Sequence, residues 1–327
     1  MIERSWILRL HLPLWTVACL CLLVGCSEDE SPKPVRSVPH DARFGVYSLD
    51  PASQDVALVA SSSQPFSFLQ LNHDGARFVF SRKIDGNTDQ DEEICMIGVD
   101  GTNFQRLTDN DFWDLYPVWS PGDSQIAFLS FREQDLDIYV MRSNGDSVRK
   151  LYDSGFHDAD PSWGNERIAF TRNSQIWTIR DDGTDPVRLT DPPRAGEWGN
   201  ANLPFGDYDP RWSPDGTKIV FERLEYDSSI HGNYNIFVIN PDGSGETRLT
   251  DSGYSQGLAN WSRAGDRIVY IVAAIGTNGK YDLYMMNADG TNNRNITPGY
   301  FPANFLCQAA MFSADDSKIF FTGEWWE

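Results

Sequence analysis

Three aspartates recur at one place in a repeated phrase. Asp114, Asp158 and Asp207 each stand five residues ahead of a tryptophan, Trp119, Trp163 and Trp212. Tyr116, Asp160 and Asp209 stand three residues ahead of the same tryptophans. Carboxylates gathered from separate segments concentrate negative potential and draw a cation or basic side chains. The same residues also have a plainer use. An aspartate next to proline, as in Asp160-Pro161 and Asp209-Pro210, can hydrogen-bond its own backbone where a strand begins. His157 joins Asp158 and Asp160 in the one cluster that mixes imidazole with carboxylate.

Other stretches carry weaker chemistry. Asp85, Asn87 and Asp89 alternate like the opening of a calcium loop, but Met96 stands where the twelfth-position glutamate belongs. Gly253-Tyr254-Ser255-Gln256-Gly257 matches a nucleophile elbow by letter. No histidine follows Ser255 and a strand pattern follows in place of a helix, so a serine hydrolase is disfavoured. The long segment from Asp191 to Asp207 holds Trp198, Asn200, Asn202 and Phe205. With Trp113, Tyr116 and Tyr254 these aromatics beside carboxylates suit recognition of a peptide or a sugar. Packing between units is the competing use of the same rings.

The elements that must position these residues repeat. An aromatic or apolar residue, a small polar residue, a turn and an apolar strand occur six times, starting at Leu71, Trp119, Trp163, Trp212, Trp261 and Phe312. The spacings are 48, 44, 49, 49 and 51 residues. A fixed period of this size means units that cannot bury their own faces and must stack or close on one another. Residues 207–250 read as four strands: one through Trp212, one from Lys218 to Glu222, one from Asn235 to Asn240 and one from Thr247 to Thr250. Pro214-Asp215-Gly216 and Pro241-Asp242-Gly243 supply turns between them. Four antiparallel strands in under fifty residues make one propeller blade. The last copy supplies only two strands, and Phe44–Ser48 and Val56–Val59 are two strands without a partner. The expected fold is therefore all-β, a six-bladed propeller whose last blade combines N-terminal outer strands with C-terminal inner strands.

The D-x-x-P-x-W-S-P-D-G phrase, the I-x-F strand, the D-I-Y-V-M strand and the D-G-T turn resemble the TolB-like propeller repeat, over about 285 residues. The resemblance implies a six-bladed propeller but leaves function open, since such repeats serve scaffolds, receptors and a few enzymes. TolB itself resembles a propeller behind an α/β domain, for which residues 26–43 leave no room. Some TolB-like lyases acting on acidic sugars resemble a channel with several histidines and a metal; here only His157 is suitably placed, with His73 in a turn and His231 expected on the opposite rim.

Residues 1–25 read as a signal peptide whose Leu23-Val24-Gly25-Cys26 ending resembles a lipobox, with Cys26 the lipidated residue. Residues 26–42 read as an acidic, proline-rich tether and 43–327 as the propeller. Net charge is −20 and no basic stripe occurs, which argues against nucleic acid. Cys95 and Cys307 fall in different units, too far apart for a disulfide. The expectation is a monomeric, non-catalytic propeller, lipid-anchored in a bacterial outer membrane, binding an envelope protein or polysaccharide through one channel mouth. The alternative is a lyase or hydrolase acting on acidic polysaccharide or peptide at the same mouth. No cofactor is expected beyond weakly indicated calcium.

Overall fold

The computed structural model describes residues 36–84, 92–201, 203–226, 232–273 and 281–326. The signal segment, Cys26, most of the tether, the Asp85–Asp91 stretch with Asn87 and Asp89, and the residues Asn202 and His231 lie outside the described residues.

Six four-stranded antiparallel sheets follow one another. The first blade is β3 (Ser67–Leu71), β4 (Arg77–Lys83), β5 (Glu92–Gly98) and β6 (Gln105–Arg106), and the second is β7 (Asp114–Trp119), β8 (Gln125–Ser130), β9 (Asp137–Arg142) and β10 (Arg149–Tyr152). The third is β11 (Asp158–Trp163), β12 (Arg167–Arg172), β13 (Gln175–Arg180) and β14 (Val187–Arg188). The fourth is β15 (Gly206–Trp212), β16 (Ile219–Tyr226), β17 (Asn233–Ile239) and β18 (Thr247–Arg248). The fifth is β19 (Ser255–Trp261), β20 (Arg267–Ala273), β21 (Tyr281–Asn287) and β22 (Arg294–Asn295). The sixth is composite: β23 (Phe305–Phe312) and β24 (Ile319–Trp325) pair with β1 (Phe44–Leu49) and β2 (Val56–Ser62) in the order β2-β1-β24-β23. Phe44 faces Glu324 and Leu49 faces Ile319 across the seam. The expected head-to-tail closure is therefore present.

The repeated letters are repeated hydrogen bonds. In four of the six copies the serine after the key aromatic accepts the backbone N–H five residues on: Ser120 from Gln125, Ser213 from Lys218, Ser262 from Arg267 and Ser313 from Lys318, all within 2.9–3.0 Å. The threonine closing each Leu-Thr or Ile-Thr pair accepts an N–H of the third strand, as Thr108 does from Ile94 and Thr190 from Ile176, both at 2.9 Å. In the Asp-Gly-Thr turns the aspartate accepts the N–H two residues on, as Asp182 does from Thr184. Without such partners these turn groups would be left unsatisfied as the blades stack.

The same turns joint the blades. Gly183 has φ 86°, and a Cβ there would sit 2.2 Å from the carbonyl oxygen of Leu151 in the preceding blade. Gly101 makes the equivalent approach to Val59 of β2, so the N-terminal strand occupies the outer position of a true preceding blade.

Alternation along each second strand splits its side chains between two interfaces. Phe78 and Phe80 pack towards the sixth blade and Val79 towards the second. Phe170 packs towards the second blade and Ala169 towards the fourth. The main core is thus six inter-blade layers, and the layer joining Val46, Met311 and Phe320 to Phe78 shuts the ring. Burying one such phenylalanine contributes about 1.5–3 kcal/mol. Val38 is also buried, against the layer between the fifth and sixth blades. Val38 thus anchors the chain just ahead of β1 on the propeller. Cys95 and Cys307 are buried on β5 and β23 and are not joined in a disulfide.

Candidate functional site

Each inner strand carries a bulge where it leaves its partner's register. The residues there, Phe68, Tyr116, Asp160, Asp209, Leu258 and Ala309, all have positive φ, between 38° and 55°. Bulges re-aim side chains. Here they link neighbouring blades in a belt lining the channel. Phe68 stacks on Tyr116 with ring centroids 3.4 Å apart. The backbone N–H of Asp209 donates to Asp160 at 3.3 Å, and the N–H of Leu258 donates to Glu222 at 2.9 Å.

The ten residues singled out from the sequence separate into three groups. Asp114, Asp158 and Asp207 do not ring a mouth. Each is fully buried and tied to the neighbouring strand or the loop beyond it. Asp158 accepts from Arg172 and Ser154, and Asp207 is gripped by both Arg223 Nε and Nη2. Asp114 accepts from Ser130, Asn110 and Arg132. Burial still pushes Asp158 up to about 7 against its arginine, and it raises Asp207 as well. These three are structural pins: an ionised carboxylate survives in such a place only when paired.

A second group, Tyr116, Asp160 and Asp209, forms the channel belt. Thr171 donates to Asp160 at 3.0 Å, and Arg211 Nη2 lies 2.7 Å from Asp209. Asp209 Oδ2 is buried with no hydrogen-bond partner. Glu222 completes the cluster. Burial, then the charges of Asp209 and Asp160, push its carboxyl up to about 8 against the Leu258 N–H and Arg211. Asp160 is raised to about 6 by burial and by Asp209. Burial likewise raises Asp209, with Arg211 opposing. Three carboxylates share one guanidinium, so burial and mutual repulsion hold their carboxyls above the ordinary range. Sequence reasoning missed Glu222, Arg211 and the flanking Tyr208 and Tyr234. A signal for Glu222 existed. Its equivalents on the other second strands are Ser81, Leu129, Thr171, Ile271 and Thr322, so it is the one charged residue in that row.

The third group is the rim. Trp113, Trp198 and Tyr254 lie on the connections leading into the inner strands and are 39 %, 70 % and 47 % exposed. His157 shares this face. Its Nδ1 accepts the N–H of Leu136, and its ring stacks on Phe131 with centroids 6.1 Å apart. The histidines His40, His73 and His157 sit on three different elements; His73 contacts Asp123 at 2.9 Å in the β3–β4 turn. β16 runs antiparallel to β15, so its end at Tyr226 lies on the face where β15 begins. Phe205, by contrast, is buried.

A cavity of about 290 Å³ opens at the other end of the channel. All six key residues of the repeat line it, together with Arg211 and Arg263. The carboxylate belt thus lies between an aromatic rim and a second mouth that the sequence did not suggest. On the periphery, Glu133, Asp137 and Asp153 lie close enough to hold an ion, but Lys150 Nζ already sits within 3.0 Å of all three.

These features define a closed, channelled six-bladed propeller. No family model matches the chain. A TolB homolog of Chlorobium luteolum is 37 % identical over 269 residues, 68 % of this chain and 58 % of its own length. An uncharacterized protein of Agrobacterium fabrum is 27 % identical over 215 residues, 62 % of this chain and 68 % of its own. The Tol-Pal system protein TolB of Desulfosudis oleivorans is 31 % identical over 108 residues, 31 % of this chain and 24 % of its own. The match thus spans less than two thirds of either TolB relative. A solved structure of a candidate TolB from Agrobacterium tumefaciens superposes with a TM-score of 0.66 at 17 % identity, over 87 % of this chain and 99 % of that one. The chain is a TolB-like β-propeller.

Proposed function

We propose that this chain is a non-catalytic propeller of the bacterial cell envelope that holds a protein or polysaccharide partner at the channel mouth carrying Trp113, Trp198 and Tyr254. In this reading Cys26 carries a lipid that tethers it to the outer membrane, and the propeller works as a monomer. The observation that carries the reading is the exposure of three large aromatics on one face above a carboxylate belt. Large rigid rings supply contact area at little entropic loss, and a charged interior selects the sign of what enters. The likeness to a Tol-Pal system TolB favours an envelope partner over a small metabolite.

The enzymatic alternative has weaker support, because His157 is turned to Leu136 and Phe131 on the rim, away from the carboxylate belt. The test is capture of envelope proteins and glycans by the full lipoprotein and by a Trp113→Ala/Trp198→Ala/Tyr254→Ala variant. The variant is expected to lose its partner at least tenfold with its melting temperature unchanged, since exposed side chains contribute little to folding. Equal capture by both proteins sinks the reading.

A further inference from the structure

We propose that the belt around Asp160, Asp209 and Glu222 is a subsite for one organic cation, the ammonium or guanidinium of a side chain carried by the ligand, with the Phe68–Tyr116 stack as its aromatic wall.

The argument begins with charge. Three carboxylates meet within the channel wall and one guanidinium, Arg211, answers them. Asp209 Oδ1 takes that partner at 2.7 Å, while Asp209 Oδ2 is buried and unpartnered. A buried anionic oxygen without a donor is costly, and a donor from outside would relieve it. The other neighbours leave the deficit standing. Thr171 and the Asp209 N–H both donate to Asp160, and the Leu258 N–H donates to Glu222. Tyr208 donates elsewhere, to the Pro204 carbonyl, and accepts from Ser174. Tyr116 and Tyr234 are the remaining titratable groups facing the cluster, and both stay neutral because their hydroxyls are pushed upward by burial and by these carboxylates.

Shape agrees with charge. Around the belt the order is Phe68, Tyr116, Asp160, Asp209, Leu258, Ala309, so aromatic faces adjoin the acids and short aliphatic groups complete the ring. Leu258 is 40 % exposed, which leaves the belt open to the channel on that side. A cation held by carboxylates and flanked by aromatic faces is stabilised by both. Lys150 among Glu133, Asp137 and Asp153 shows this chain satisfying a three-acid cluster in the same manner with its own ammonium.

The inference deepens the proposed binding role by naming the chemistry of the group that enters the channel. It is tested without any partner protein, so its failure is distinct from failure of rim-dependent capture. Agmatine is titrated calorimetrically into the full chain at low salt, at pH 6 and pH 8, with calcium chloride as the competing probe. One saturable agmatine site is expected. Its affinity should rise about tenfold or more from pH 6 to pH 8, because the bound cation displaces protons from the cluster. Asp209→Asn and Glu222→Gln should each weaken binding about tenfold, while the rim control Asp251→Asn leaves it unchanged. Glu222→Gln removes a buried like charge, so it keeps the test open should Asp209→Asn fail to fold. Absence of saturable agmatine binding at pH 8 overturns the proposal. So does binding indifferent to Glu222→Gln, or calcium binding that agmatine does not compete away.

Discussion

Replacing Arg223 with methionine tests whether Asp207 is a pin or a ligand carboxylate. Asp207 is fully buried and takes both Nε and Nη2 of Arg223, the latter at 3.0 Å. Arg223 also lies over the Phe237 ring at 4.6 Å and reaches Glu246 at 2.8 Å with two nitrogens. Methionine keeps much of the apolar contact and removes the charge, stranding Asp207. Removing one partner of a buried pair costs about 3–5 kcal/mol. At about 2 °C per kcal/mol for a large domain, the melting temperature should drop by roughly 6–10 °C. The deficit should widen with pH. Burial already raises the Asp207 carboxyl, and without Arg223 it takes a proton readily at pH 5 but must surrender it at a stability cost near pH 8. An Asp207→Asn/Arg223→Met double variant should recover part of the loss, since the two residues share one interaction. Thermal melts of the three variants at pH 5 and pH 8 decide the matter. A single variant within about 0.5 kcal/mol of the parent at both pH values would falsify the pin assignment and return Asp207 to the list of groups free to meet a ligand.

The channel cluster should make the parent protein less stable as pH rises. Glu222 titrates near 8 in the fold against an ordinary 4.5, so the folded chain binds more protons than the unfolded one between those values, and stability falls across that window. The loss is roughly 2–5 kcal/mol if Glu222 must fully ionise, and Glu222→Gln should flatten that part of a denaturation-versus-pH curve; an unchanged slope would show that the cluster does not hold protons. Gly183→Ala should destabilise by about 2–4 kcal/mol in urea melts, through both its positive φ and the Leu151 carbonyl 2.2 Å from the new Cβ. Gly122→Ala, with open space around its Cβ position, should be nearly neutral. Thr190→Val should cost about 1–2 kcal/mol by leaving the buried Ile176 N–H without its acceptor, and a variant as stable as the parent would mean that the repeated threonine is not a hydrogen-bond lock.

Much of the fold was legible because each blade is assembled from neighbours in sequence. Ser213, Asp182 and Thr190 act on backbone groups in their own blade, so their spacing is a direct image of the hydrogen bonds they make. Closure was legible for a related reason. Two unpaired strands at the head and a half blade at the tail leave four exposed strand edges, two of which pairing removes. The site was only partly legible. Asp158 and Asp207 looked like channel residues until their cross-strand partners Arg172 and Arg223 were seen beside them. Those partners sit 14 and 16 residues downstream, within the same blade, and a register drawn through the hairpin would have found them.

What the sequence alone determined was the repeat, the count of blades and the identity of the composite one, because these follow from local turn chemistry and strand period. Only the tertiary structure decided which acids are pins and which meet in the channel belt. Asp160, Asp209 and Glu222 come from three strands of two blades, and Tyr116 and Leu258 from two more. Their meeting depends on how six wedges close around an axis, and no spacing within one wedge records that distance.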